Sequence, residues 1–449
     1  MKKSILAFVA LVAVAGIYYM TIGSTQIVTE IKKEINHEII ELKKSGFIVE
    51  DRVIREEAEH FVIDFNNTQD ITKYIKKSNN SISQSEVELL KGLKIGVDIE
   101  YTPTAKDAIA FDIYPIKLPM FLYEEMREDN ESIVAIDKML KEKLLLVHIS
   151  VNKLLSGFDG YLKDINTKFD NGKSNGHFTI KGFSFNGDIK DEDVKNLKQN
   201  IKEMSFKIGK EIHIALSDLK VFIENPTDAK YNNNSSNYTL KSLNIENREN
   251  GENLSLIIND LSGSSKDTKK GELIEGIAKI DIASIDYTTG SDKILLKKAN
   301  ADIKIENLNI EAMEKLEVIL NDENVSFEQM IPLLKKITKS DLSFSISNLS
   351  LDNITSNGEK MQGFNIKAFA KTNKDFDWNS INNDPMVLMQ LGNIQANISI
   401  SNTLFSVISQ DPKMMMVMMF AQPIDKNGTK VYDLEFTKGS LKVNGKPFM

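Results

Sequence analysis

The chain has 449 residues, 27% of them charged, a formal net charge of −8 and no cysteine, and its mean hydropathy is −0.25. These values describe a folded, water-exposed body and exclude a disordered chain. Lys and Asp/Glu alternate along the sequence instead of forming a basic block, which excludes an interface built on neutralising nucleic-acid phosphates. Without cysteine there can be no disulfide, no thiolate metal site and no Cys nucleophile, so stability must come from packing.

The N-terminal stretch "MKKSILAFVALVAVAGIYYMTIGSTQIVTE" is free of charge from Ser4 to Thr29. Lys2 and Lys3 supply the positive flank that stays in the cytoplasm, so the remaining chain is expected to be exported. The apolar run contains Ile5, Leu6, Phe8, Val9, Leu11, Val12, Val14, Ile17, Tyr18, Tyr19 and Met20. From Ile5 to Ile22 it is long enough to cross a hydrocarbon layer of about 30 Å, with Tyr18 and Tyr19 at the outer interface. An uncleaved single-pass anchor is the expected reading. Removal after Ala15, at the small-x-small site Ala13-Val14-Ala15, is the alternative.

Next, "IVTEIKKEINHEIIELKKSG" sets Ile27, Ile31, Ile35, Ile39 and Leu42 at helical spacing before a stop at Gly46, a stalk or a first amphipathic helix. From Phe47 the period changes to two. "FIVEDRVIREEAEHFVIDF", "IGVDIEY", "IAFDIYPI", "LLLVHISV", "GHFTIKGFSF", "IHIALSDLKVFIE" and at least seven later segments alternate apolar and polar residues between Asn, Gly, Asp and Ser. This pattern predicts a mainly antiparallel sheet with one dry and one wet face. Four segments carry two alternating apolar residues, a gap of two, and two more: Ile214, Leu216, Leu219, Val221; Ile280, Ile282, Ile285, Tyr287; Ile303, Ile305, Leu308, Ile310; and Phe344, Ile346, Leu349, Leu351. An inserted residue would turn every later side chain to the wrong face unless a bulge absorbs it, so a bulge or bend is predicted in each strand.

Helices are predicted at 130–144, 153–169 and 191–208. A pair split near 321–324 should follow, then "DPMVLMQLG" and the methionine-rich "DPKMMMVMMF". The five histidines, His37, His60, His148, His177 and His213, have no metal-ligand spacing, and those in strands read as half-exposed strand positions. No nucleophile elbow, phosphate loop or dinucleotide loop is present. The acidic runs around Glu124, Glu125, Glu128, Asp129 and Glu131, and around Asp188, Asp191, Glu192 and Asp193, lack the Gly and alternation of a calcium loop and read as solvated surface. No catalytic residue, cofactor or metal site is therefore expected.

The methionine helix is the one candidate binding element. Met415 and Met419 share a face with Phe420 near it, and Met414 and Met418 share the adjoining one. Three readings stand side by side: a gap-filling core helix, an adaptable apolar lining for lipid or peptide, and a soft Cu(I) site.

In the last third, a helix ending "MIPLLKKITKSD" leads into "LSFSISNLSL", "FNIKAFAKT", the Met-bearing helix and a closing hairpin "VYDLEFTKGSLKVNGKPFM" with the ending G-x-L-x-V-N-G-K. With the short basic start and single apolar segment, this layout resembles the YdgA family, a bacterial envelope group named as a domain of unknown function. The resemblance implies an inner-membrane anchor and a body facing the periplasm, and it supplies no active-site residues.

The expected fold is thus a β-rich α+β body, an N-terminal transmembrane helix followed by an elongated, curved, mainly antiparallel sheet with a few covering helices. Its parts are an anchor (1–25), an amphipathic stalk helix (26–45), an N-terminal β-rich part (46–210) and a C-terminal β-rich part (211–449). The expected function is a non-enzymatic envelope protein that binds phospholipid or another apolar ligand on the sheet. A dimeric scaffold without a ligand is the alternative.

Overall fold

The computed structural model describes residues 27–448 except 79–82, 126–129, 171–174, 191–192, 226–232, 249–252, 321–324 and 383–384. The anchor residues Ile5 to Met20 therefore lie outside the described residues. Among the described residues no helix is long and apolar enough to cross a membrane. The chain divides into two compact units, Met1–Thr227 and Asp228–Met449.

The first unit opens with α1 (Ile27–Lys44). Gly46 ends it in the left-handed region (φ +92), and the Phe47 amide then reaches back to the Leu42 carbonyl (3.1 Å), the Schellman closure that glycine favours. The strands β1 (Ile48–Ile54), β2 (Ala58–Asp64), β3 (Lys94–Tyr101), β4 (Asp107–Lys117), β5 (Val147–Asn152) and β6 (Gly157–Leu162) pair antiparallel, each with the next. Two long paths follow, each broken once: β6 with β7 (Ile165–Asp170), and β8 (Asn175–Lys181) with β9 (Ser184–Lys190). β10 (Asp193–Ile208) pairs β9 with its first half and β8 with its second, and β11 (Ile212–Glu224) lies on its other side. Short helices α2 (Thr68–Ser78), α3 (Gln84–Glu88), α4 (Met120–Glu125) and α5 (Asn130–Lys141) fill the connections.

One face of this sheet is closed. The α1 stripe Ile31, Ile35, Ile39 and Leu42 shares a fully buried cluster with Phe61 and Ile63 of β2, Ile95, Val97 and Ile99 of β3, and Ile109, Phe111 and Ile113 of β4. Of the stripe predicted from spacing alone, Ile31, Ile35, Ile39 and Leu42 are thus buried, the side chain of Ile27 lying outside the described residues, and Phe47 and Phe65 meet edge to face (5.1 Å) beside them.

Two predicted helices are strands. At 153–169 the chain forms β6 and most of β7, and the described part of 191–208, Asp193–Ile208, forms β10. Leu197, Ile201, Met204 and Ile208 stand at intervals of four, three and four, which mimics a helical stripe. In the structure this is a period-two pattern interrupted between Ile201 and Glu203, where the handover from β9 to β8 occurs. Tertiary pairing on both sides overrides the local helical reading.

The second unit is also a meander: β12 (Ser235–Asn247), β13 (Leu254–Lys270), β14 (Leu273–Thr289), β15 (Asp292–Asn309), β16 (Ser343–Ser356), β17 (Glu359–Thr372) and β18 (Gly392–Ser401), antiparallel in chain order. Between β15 and β16 the chain forms α6 (Ile310–Leu320) and α7 (Phe327–Lys339), the predicted helical pair. After β18 come α8 (Asn402–Ile408) and α9 (Pro412–Phe420), then β19 (Ile424–Lys426), β20 (Thr429–Thr437), β21 (Ser440–Val443) and β22 (Lys446–Pro447). β20 pairs β18 on one side, and β19 and β21 on the other. The segment read as "DPMVLMQLG" is a 3₁₀ turn, Pro385–Gln390.

Each of the four gapped strands is irregular at its gap. Asp218 (φ 48) fills the first. Ala283 drops out of pairing with both neighbours in the second. Asn307 (φ 58) fills the third, beside a register shift, and the register shifts between Ile346 and Leu349 in the fourth. Asp and Asn are the side chains that best tolerate the left-handed region after glycine.

In the second unit the irregularity at Ala283 aligns with others on neighbouring strands into a seam. One residue per strand is skipped in the ladder: Lys241, Asp260, Ala283, Lys298, Asp352 and Gly363. Asp260 (φ 47) and Lys298 (φ 55) are left-handed, and ion pairs Lys241–Asp260 (3.2 Å) and Lys298–Asp352 (3.5 Å) run along it. At its far side the backbones approach so closely that a Cβ on Gly363 would sit 1.7 Å from the Leu351 carbonyl oxygen. Gly363→Ala is therefore expected to destabilise the second unit by roughly 2–4 kcal/mol, read as a lowered unfolding midpoint. An unchanged midpoint would contradict the close approach at the seam.

Candidate functional site

Cross-strand partners lie on the same side of a sheet, so the ladder defines the two faces of the second unit. One face is apolar, in successive rows. The first row is Leu240, Leu261, Ile282, Ala299, Leu351, Phe364 and Ile400. The second is Gly263, Ile280, Ala301, Leu349, Ile366, Ile398 and Tyr432. The third is Ala278, Ile303, Ile346, Ala368, Ala396 and Leu434, and the fourth Ile305, Phe344, Ala370, Ile394 and Phe436. The opposite face is polar, with Ser262, Asp281, Asn300, Ser350, Asn365 and Ser399 in one row. Its side chains satisfy one another: Asn259 donates to Ser284 (3.1 Å), Asn365 to Asn348 and Asn397 to Asp433, and Lys279 pairs with Asp302 (3.3 Å).

The apolar face is not buried as the first unit's is. Most of its side chains are half-exposed, and Phe344 (41%) and Ile394 (47%) are exposed outright. The buried clusters of this unit that include helical residues lie where the strands end. Ile331 of α7 packs with Phe376 and Trp378, whose indole donates to Thr338 (3.2 Å). A cleft of ≈ 440 Å³ lined by Val318, Ile319, Pro332 and Leu333 lies between α6 and α7.

The second helical cluster is the methionine site. Ser401 ends β18 and caps α8, accepting from the Leu404 amide (3.1 Å) while donating to the Gln362 carbonyl. Asp411 then starts α9 through its carboxylate on the Lys413 amide (2.8 Å), with Pro412 in the first helical position where a missing N–H is harmless. Met414 and Met418 turn inward and pack with Phe405, Ala421, Ile398, Ile400, Tyr432, Leu434, Leu441 and Val443. Met415, Met416 (63%) and Met419 (77%) face outward, and the side chain of Phe420 lies outside the described residues. α9 therefore covers the Ile398–Tyr432 end of the apolar face with one methionine pair and presents another methionine surface to solvent.

The ending G-x-L-x-V-N-G-K builds the floor of this site. Leu441 and Val443 belong to the cluster. Asn444 (φ 51) and Gly445 (φ 75) form the tight turn that this dipeptide favours. The Asn444 side chain accepts from the Asp433 amide (2.8 Å) and donates to the Gln422 carbonyl (2.7 Å), tying down the segment that leaves α9. Sequence reading missed Tyr432, whose ring is buried while its hydroxyl has no hydrogen-bond partner among the described residues. Burial holds that phenol above its ordinary range. The readable signal was its place in "VYDLEF", alternating inward with Leu434.

The first unit holds a polar row that spacing did not reveal. His60, Asp98, Asp112, His148 and Tyr161 are successive cross-strand partners on β2 to β6. His60 Nδ1 lies 2.6 Å from Asp98 and His148 Nδ1 2.7 Å from Asp112. Lys143 donates to Asp98 (3.0 Å) over the Tyr114 ring, and Tyr161 stacks on His148 (4.9 Å). The row borders a cleft of ≈ 580 Å³ that Arg55, Glu57 and Glu100 also line. One titratable side chain near the middle of "EHFVID", "GVDIEY", "AFDIYP" and "LVHISV" was the available clue. Among the described residues no group of His, Asp and Glu is placed to hold a metal ion. The row links two His–Asp hydrogen bonds, His60 with Asp98 and His148 with Asp112, across adjacent strands.

Residues 135–449, more than half of the chain, match the family model described as a bacterial protein of unknown function (DUF945). The chain belongs to this family. No curated protein and no solved structure matches it. The DUF945 match takes in the whole apolar sheet of the second unit, the methionine helix and the closing hairpin, whereas His60 and Asp98 precede it.

The Asp112 hydrogen bond, followed by the charges of Asp112, Asp159 and Asp107, raises the His148 pKa against the opposing effect of burial. A raised folded-state value adds stability that is complete below the unfolded value and is lost as pH rises through the folded one. His148→Gln should therefore destabilise the first unit by about 1 kcal/mol near pH 5.5 and by much less near pH 8.5. An equal effect at both pH values would show that no charged pair is involved.

Proposed function

We propose that this DUF945 protein is a non-enzymatic component of the bacterial envelope that binds phospholipid or another apolar ligand on the apolar face of its C-terminal sheet. Its first 25 residues serve as a single-pass inner-membrane anchor with the N-terminus in the cytoplasm, and its body stands in the periplasm, as in the YdgA group it resembles. The sheet is elongated and curved, bent along the seam.

The single observation behind this reading is the half-exposed apolar face itself, four rows deep and backed by a hydrogen-bonded polar face. Covering a half-exposed Ile or Phe contributes on the order of 1 kcal/mol, so a face carrying several such residues gains substantially from an apolar cover. Contiguous apolar surface on this scale marks an interaction site on a soluble body. The outward methionines add a flexible, polarisable surface of the kind that fits varied apolar partners.

The full-length protein should co-purify with phospholipid, seen by mass spectrometry, while remaining monomeric. Ile280→Glu combined with Ile394→Glu, both at exposed positions, should strip that lipid with less than about 1 kcal/mol change in stability. A lipid-free stable dimer would favour the scaffold instead. In cells the chain is expected in the inner-membrane fraction with Lys2 and Lys3 retained, whereas a chain starting at Gly16 in the soluble envelope extract would remove the anchor.

A further inference from the structure

Tyr432 poses a specific question within the apolar site. It is only 5% exposed, its hydroxyl oxygen is buried, and among the described residues that oxygen has no hydrogen-bond partner. Buried hydroxyls are nearly always paired, and one left unpaired is unfavourable. The hydrophobic side chains packed in its cluster include Ile398, Ile400, Phe405, Met414, Met418, Leu434, Leu441 and Val443. The only side-chain acceptors among them are the thioether sulfurs of Met414 and Met418, which are weak.

Position gives the missing partner a shape. Tyr432 closes the second apolar row, which runs through Ile398, Ile366, Leu349 and Ala301 to Ile280. Five interstrand steps of about 4.8 Å give this row a length of roughly 24 Å, enough for one acyl chain, since a membrane leaflet's hydrocarbon is about 15 Å thick. Charge narrows the ligand further. Lys430, whose ammonium lies 5.8 Å from the Phe405 ring, is already paired with Asp425. A buried carboxylate would lack a counter-charge and be disfavoured, whereas a neutral ester carbonyl needs only a donor. Met414 and Met418, each with three rotatable bonds, are the side chains that can swing aside to admit it.

We propose that Tyr432 is the polar anchor of the lipid site: its phenol donates a hydrogen bond to the ester carbonyl oxygen of a phospholipid whose acyl chain lies along the Ile280–Tyr432 row beneath the methionine helix. The proposal rests on the apolar-ligand reading above and adds to it the ligand's chemistry and the residue that recognises it.

The test compares a diester phospholipid with its diether analogue, which keeps the chains and headgroup and lacks the carbonyls. Binding is measured to the full-length protein held in amphipol, wild type beside Tyr432→Phe. The wild type is expected to prefer the diester by about three- to tenfold and to bind palmitate more weakly than the diester. Tyr432→Phe should bind both phospholipids alike, at the wild-type affinity for the diether. In the lipid-free state it should unfold at or above the wild-type temperature, because no bond is removed. A wild type without ester preference, a variant that retains it, tighter binding of palmitate, or a variant of lowered midpoint would overturn the assignment of Tyr432 while leaving the apolar site standing. Binding of neither phospholipid would remove the apolar-ligand reading itself.

Discussion

A sheet with one apolar face has to bury that face, and the two units meet this constraint differently. In the first, α1 lays Ile31, Ile35 and Ile39 across the strands and seals a core in which Phe61, Ile63 and Ile95 are fully buried. In the second, the chain supplies helices at the strand ends, and the middle of the apolar face keeps half-exposed Ile, Leu and Ala side chains. Its polar face carries paired Asn, Ser, Asp and Lys side chains. The apolar face is where the second unit leaves apolar surface only partly covered.

The seam explains how strands of this length keep one consistent face. A strictly regular strand of 14 to 18 residues accumulates twist, and a slip of one residue would send its apolar side chains into water. Skipping one residue at Asp260, Ala283, Lys298, Asp352 and Gly363 resets the alternation at the same level in each strand, so the rows on either side stay in register. Local irregularity thus preserves the global pattern, and the requirement for glycine at 363 follows from the backbone approach it permits.

Much of this architecture was legible in the sequence, for definite reasons. Period two marked the strands because one face is polar throughout. The gaps of two marked the bulges because an unabsorbed insertion would have broken the apolar rows. The stripe of α1 was readable because 3.6-residue spacing and a terminal Gly46 coincide. The failures have equally definite causes: β10 imitates a helix because its interrupted alternation falls at intervals of four, three and four. The methionine helix was visible, but which methionines point inward is fixed by the hairpin that ends in Val443 and Asn444, a contact made by residues distant from the helix in sequence. The His60–Asp98–Asp112–His148 row and Tyr432 were hidden because only strand register brings the first together and only burial isolates the second.

The absence of cysteine offers a direct test of the open apolar face, since single thiols can be placed at will. Ile280→Cys and Ile366→Cys report the apolar side, and Asp281→Cys and Asn365→Cys the polar side, when each is labelled with a water-soluble maleimide in delipidated and lipid-loaded full-length protein. Thiols on the apolar side should react without lipid and become protected with it, while those on the polar side react alike in both. Protection of Cys-substituted positions 280 and 366 in delipidated monomer would mean that the protein covers its own apolar face, and the account of a lipid-accepting sheet would fail.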